Sequence, residues 1–147
     1  MEQFALVVHV IVGTLWVGTI FANIFIVWPT LRGTYARQEF PLEFVVLQGR
    51  RIAPLVYFAI PSMLVSGLAL AFLRPPATTT AWVLLAAKTT ALLIMASNII
   101  YGTLVTWPKL QFSTSEETWP LWRGYGIRGF VTLSCGMAAA LMGAFLH

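Results

Sequence analysis

The chain has 147 residues, of which 59% are hydrophobic and only 10% charged. Mean hydropathy is +0.81, more apolar content than a soluble core of this length requires, and it leaves no room for a separate soluble domain. The net charge of +4 reads as membrane topology rather than as nucleic-acid affinity, because the basic residues gather in two connections between apolar runs.

A membrane-spanning helix needs about 20 consecutive apolar residues. Four such runs are legible, at about 4–27, 53–73, 81–106 and 127–146. They predict a single all-α domain over 1–147: an integral membrane four-helix bundle built as two tandem helical hairpins. Only Met1-Glu2-Gln3 precedes the first run, without basic residues. The run is also too long for the apolar core of a signal peptide, so a retained helix is expected.

The first run carries His9, Gly13, Trp16 and Asn23 at near-helical spacing, on one broad face. A small residue one turn from a histidine leaves room for a flat ligand or for close helix approach. Trp28-Pro29 is expected to close this helix, since proline removes a backbone donor and tryptophan favours the membrane interface. In the second run Pro54 sits near the expected start, and Pro61 is expected to kink the helix. A freed carbonyl would then be met by a neighbour such as Ser62 or Ser66. Met63, Ser66 and Gly67 fall in its middle and outer half.

Arg74 to Thr80 form a short connection, and Trp82 then anchors the third run at the interface. On that run Lys88 and Met95 align, with Asn98 or Ile99 beyond them, and Trp107-Pro108 is expected to end it. The fourth run aligns Arg128, Thr132, Cys135, Ala139 and Met142. Cys135 is the only cysteine, so no internal disulfide can form.

Arg32, Arg37, Arg50 and Arg51 lie between runs one and two; Lys109, Arg123 and Arg128 lie between runs three and four or at the edge of four. The positive-inside rule makes both of these connections cytoplasmic and both termini external, periplasmic in a bacterial inner membrane. An internal repeat agrees with that layout. Trp28-Pro29-Thr30-Leu31 matches Trp107-Pro108-Lys109-Leu110 at an offset of 79, and the same offset carries His9 onto Lys88. The two therefore sit at equal depth on equivalent helices, five to eight residues from the outer end. At 1.5 Å per residue that is about 7–12 Å.

These two residues carry the candidate chemistry. A lysine at a helix centre costs roughly 2.5–3.5 kcal/mol on insertion scales, so an intramembrane ionisable group marks a functional site by default. Neutral imidazole is an axial ligand for haem iron, and bundle helices commonly enclose such sites. The cofactor-binding candidates are His9, as metal ligand, with Lys88, Gly13, Ser66, Met142, Arg51 and Arg128. Lys88 would pair a haem propionate or supply a second ligand, with Met63, Met95 or Met142 as other sixth-ligand candidates. Arg51 and Arg128 serve topology and anionic-lipid contact, or meet a propionate or quinone head deeper in the bundle. A hydrogen-bonded structural histidine, a lysine reaching the interface and methionines that merely pack are the plainer alternatives. Copper competes as cofactor through its affinity for thioethers, although the five methionines form no cluster. The chain has no aspartate, and its glutamates are placed at the N-terminus or in connections, which argues against acid–base hydrolysis within the membrane.

The stretch from Val8 to Gly18 leading to Trp28-Pro29-Thr30-Leu31-Arg32 resembles the first helix of the CopD-like membrane family. So do Arg50-Arg51-Ile52-Ala53-Pro54, Ser66-Gly67, Leu84-Leu85-Ala86-Ala87-Lys88 and Arg128, so that the likeness covers nearly the whole chain. The grouping is also similar to the HemJ-type protoporphyrinogen oxidases, four-helix proteins regarded as binding haem b. That likeness implies a functional pair at His9 and Lys88. The chain departs from the HemJ pattern after its first helix, at Ile26-Val27-Trp28-Pro29, and its last helix lacks an Asn-Glu-x-Pro-Thr-like stretch. The resulting expectation is a b-type haem protein in electron transfer, a small subunit beside a membrane redox partner or in a homodimer. Copper transport or resistance, a structural accessory role and porphyrinogen oxidation are the alternatives.

Overall fold

The computed structural model describes residues 1–35 and 41–144. Arg37, the last residues of the expected fourth helix and His147 lie outside the described residues. Four helices follow one another: α1 (Glu2–Thr34), α2 (Leu42–Leu73), α3 (Thr79–Gln111) and α4 (Glu116–Ala144). All four are long and apolar enough to cross a membrane, and the fold is an all-α four-helix bundle. Their lipid-type surface is plain in the side chains turned outward, among them Phe4, Leu15, Phe58 and Leu104.

Each helix reaches further than its apolar run on the side of the α1–α2 and α3–α4 connections. The second begins at Leu42 rather than at 53, and the fourth at Glu116 rather than at 127. These extensions are amphipathic, not apolar, and they are held by a core of their own. Leu31, Val45, Leu110 and Trp122 are buried together there, with Trp28 and Trp107 packed against them. A second core lies midway along the bundle, where Trp16, Ala59 and Met95 are buried beside Met63 and Cys135.

The two Trp-Pro pairs do not end their helices. Immediately before each, the helix widens into a π turn, at Asn23–Val27 and at Gly102–Thr106. The Trp28 amide donates to the Asn23 carbonyl and the Trp107 amide to the Gly102 carbonyl, five residues back in each case. The wider turn removes the clash that a proline imposes on the preceding turn. Each proline then falls in the first turn of the α-helix that follows, where a missing amide costs nothing. The two π turns are offset by 79 positions, the same offset as the Trp-Pro pairs, so the repeat is a repeat of backbone geometry.

Pro54 is interior to α2 because the helix starts early. Ser66 has another partner than the carbonyl Pro61 frees: its hydroxyl donates to the Ser62 carbonyl at 2.6 Å. Other hydroxyls on the spans, such as Thr19 and Thr90, also donate one turn back, to the carbonyls of Leu15 and Ala86. This keeps polar atoms satisfied where water is excluded.

Within each hairpin the helices pack along their length, α1 on α2 and α3 on α4. Between hairpins α1 lies against α4, with Gly129 under Ile24 and Gly136 under Val17 and Met95. α2 and α3 approach each other less closely than the other neighbouring pairs. The tryptophans of the repeat join the hairpins reciprocally. Trp28 of the first lies over Gly126 of the second, and Trp107 of the second lies over Gly49 of the first. A Cβ at either glycine would overlap the indole. These two tryptophans were expected at the lipid interface; they are turned into the bundle because a glycine opposite each leaves room for the ring.

Candidate functional site

Within the spans, two regions of the described residues gather polar side chains from different helices. The first is at the end of the bundle that carries the N-terminus. His9 projects from α1 onto α2, where its Nδ1 is 2.9 Å from the Ser66 hydroxyl. Ser66 is buried, 5% exposed, and its one hydroxyl proton is given to the Ser62 carbonyl at 2.6 Å. The Ser66 oxygen is therefore an acceptor toward the imidazole, and Nδ1 is the protonated nitrogen. Nε2 keeps its lone pair. Gly67 lies beside the ring, where a Cβ would come to 3.4 Å from the His9 Cε1.

Lys88 is half-buried on α3. Its Nζ lies 3.3 Å from the position a Cβ would take on Gly143 of α4. The lysine thus points toward α4 and into the bundle. Met142, next to Gly143, is also half-buried. Gly13 does not open space for a ligand. It accepts the Met63 side chain, whose Cε would be 3.4 Å from an added Cβ. Met95 is core, buried with Trp16 and Ala59.

The second region lies deeper, toward the π turns. A cavity of about 260 Å³ is lined from all four helices, Trp16, Asn23, Gln48, Asn98, Arg128 and Thr132 among its walls. Polar pairs cross between helices here. Gln48 donates to the Asn23 side-chain oxygen at 2.9 Å, and Asn98 donates to the Thr132 hydroxyl at 3.2 Å. Arg128 donates from one terminal nitrogen to Thr106 at 2.6 Å, and its guanidinium lies 5.0 Å from the centre of the Tyr101 ring. Arg50 and Arg51 are both exposed, and Arg50 also borders the cavity.

The sequence-derived candidates therefore divide by depth. His9 and Ser66 meet, Lys88 shares their level, and Arg128 belongs to the deeper cavity. The Asn23–Gln48 pair, the Tyr101–Thr106 setting of Arg128 and the role of Trp16 as a cavity wall were not read from sequence. Gly49 and Gly126, small residues opposite the repeated tryptophans, were the signal for close inter-hairpin contact at this depth.

Among the described residues no three of His, Cys, Asp and Glu cluster as a metal-holding group. A metal held by several protein ligands finds no donor set here, but a metal in a macrocycle needs only one or two axial donors, and Nε2 of His9 is such a donor. No known protein family matches the chain, and neither a curated protein nor a solved structure matches it.

Proposed function

We propose that the chain is a b-type haem-binding membrane protein acting in electron transfer, with His9 as axial ligand. The observation that carries the reading is the Ser62–Ser66–His9 hydrogen-bond chain. A metal-bound histidine commonly donates its other ring nitrogen to a fixed acceptor, which sets the tautomer and the ring plane. Ser66 does this from a neighbouring helix and leaves Nε2 as the coordinating atom.

Haem, when bound, supplies a one-electron couple at iron. The protein's part is to orient and to neutralise. Ser66 holds the imidazole plane, and Lys88 offers an ammonium to a propionate at the same depth or a second nitrogen to the iron. The bilayer and the surrounding apolar helices keep water from the site. The CopD-like affiliation, the HemJ-like pair, external termini and a bacterial inner membrane belong to the same proposal, as does a membrane redox partner or a second copy to receive the electron. The copper reading has less support, since Met95 is enclosed in the core and Met63 is packed against Gly13.

Haem titrated into the detergent-purified, haem-free chain tests the reading. Saturation at one haem per site, lost in His9→Ala, is the expected result. Equal uptake by both proteins, or no saturable uptake, refutes it.

A further inference from the structure

The deeper cavity reaches the surface of the bundle, and the haem reading does not use it. Arg50 and Tyr57 border it from α2, seven residues apart and so on one face of that helix. Arg50 is exposed, and Tyr57 is 46% exposed. Ala53 borders the cavity between them, and Ile99, Thr103 and Trp107 border it at intervals of four along α3. These are the neighbouring helices that approach least closely, so a crevice separates them. At the end nearer the α1–α2 connection Trp107 lies over Gly49, next to Arg50. The α4 side is filled differently: α3 and α4 pack along their length, and the Tyr125 ring lies against Gly102 and stacks on Trp122.

The depth is that of a lipid headgroup and its upper chain. The apolar run of α2, 53–73, spans about 30 Å at 1.5 Å per residue, the thickness of the hydrocarbon layer. Arg50 therefore stands just outside that layer, level with the headgroups. Tyr57 is about 10 Å further along the helix, within the hydrocarbon.

Charge and polarity separate along the crevice. No carboxylate lines the cavity, and Arg50 makes no ion pair among the described residues. An exposed arginine at headgroup level attracts anionic lipid. Deeper in, the polar side chains are committed elsewhere. Gln48 is bonded to Asn23, which also donates to the Thr19 carbonyl, and Asn98 is bonded to Thr132. Arg128 turns its guanidinium to Thr106 and Tyr101. Between them the wall is apolar, with Ile20, Ile52 and Val56. Space of this kind stays dry, and beside a bilayer hydrocarbon fills it. The volume of about 260 Å³ falls below the roughly 300–1,000 Å³ of pockets that enclose a whole drug-sized ligand, so it suits one chain with the rest of the molecule outside.

We propose that the crevice between α2 and α3 binds an anionic glycerophospholipid, its phosphate on Arg50 and one acyl chain in the cavity past Ala53. The proposal does not depend on haem at His9.

Four of the six tryptophans line the cavity, so their fluorescence reports what enters it. The test places the whole chain in phosphatidylcholine nanodiscs and replaces that lipid stepwise with phosphatidylglycerol brominated on its acyl chains, which quenches tryptophan. Brominated phosphatidylcholine is the comparator. The expected result is quenching by the brominated phosphatidylglycerol that saturates at low mole fraction, exceeds the comparator there, and is unchanged in His9→Ala. Arg50→Gln is expected to raise the half-saturating fraction about fivefold. Arg51→Gln removes an exposed neighbouring charge that does not border the cavity, and is expected to leave that fraction unchanged. Ala53→Leu narrows the cavity without touching the charge and is expected to abolish the saturable phase; it carries the comparison if Arg50→Gln does not fold. Equal quenching by the two lipids, equal half-saturating fractions for Arg50→Gln and Arg51→Gln, or a saturable phase kept in folded Ala53→Leu would overturn the proposal. So would loss of that phase to an equal mole fraction of oleate, which would place a free fatty acid in the crevice.

Discussion

At the scale of single residues, the chemistry of His9 follows from where one serine proton goes. Ser66 gives its proton to the Ser62 carbonyl, so it can only accept from the imidazole. Ser66→Ala leaves Nδ1–H without its acceptor and the ring free to turn. Such outer-shell losses weaken metal affinity about 10–100-fold. The haem-titration midpoint of Ser66→Ala is therefore expected to rise about tenfold or more, while its helix content by circular dichroism stays that of the wild type. Lys88 makes a separate prediction. If its charge holds a propionate, Lys88→Arg keeps most of the affinity and Lys88→Met loses it; similar midpoints for the two variants would assign the lysine to packing against Gly143 alone. The sequence made His9 and Lys88 conspicuous because ionisable groups are rare in apolar runs. The orientation of the imidazole was not legible, because it depends on which serine of α2 faces α1.

Among the helices, the decisive contacts are between two indoles and two glycines. Trp28 occupies the space over Gly126, and Trp107 the space over Gly49. Gly49→Ala and Gly126→Ala should each destabilise the bundle by about 1–3 kcal/mol through overpacking, read as a lower unfolding midpoint in detergent. Gly18→Ala is the control, since nothing within 4 Å would meet its Cβ; an equal loss there would show that helix glycines matter generally and not through the tryptophans. The same region explains where helix ends were misjudged. A Trp-Pro pair after an apolar run reads as a stop, yet the π turns at Asn23–Val27 and Gly102–Thr106 carry the helices through it. A π turn has no distinct hydrophobic period, so it is silent in a sequence pattern. The early start of α2 at Leu42 was hidden for a similar reason: Val45 is buried by contacts at the bundle's end, not by lipid.

Over the whole molecule, two similar hairpins meet unequally. α1 packs on α4 through Gly129 and Gly136, while α2 and α3 stand further apart beside the cavity. The four spans and their pairing were legible from run length and the 79-residue offset, because both depend on composition and chain order. The cavity was not, because it arises from that inequality between otherwise equivalent interfaces. Orientation in the bilayer has its own check. Arg32, Arg50, Arg51, Lys109 and Arg123 all fall on the side of the α1–α2 and α3–α4 connections. In a Cys135→Ser background, Thr78→Cys is expected to react with an impermeant maleimide added outside intact cells, and Ser113→Cys only after lysis. The opposite pattern would invert the topology.

The central claim is that His9 holds haem iron. The most direct measurement is the absorption spectrum of the protein purified from cells supplied with haem precursor, oxidised and dithionite-reduced, beside His9→Ala. A Soret band with α and β bands on reduction, absent from the variant, is expected. A colourless wild-type protein, or bands of equal strength in His9→Ala, would contradict it.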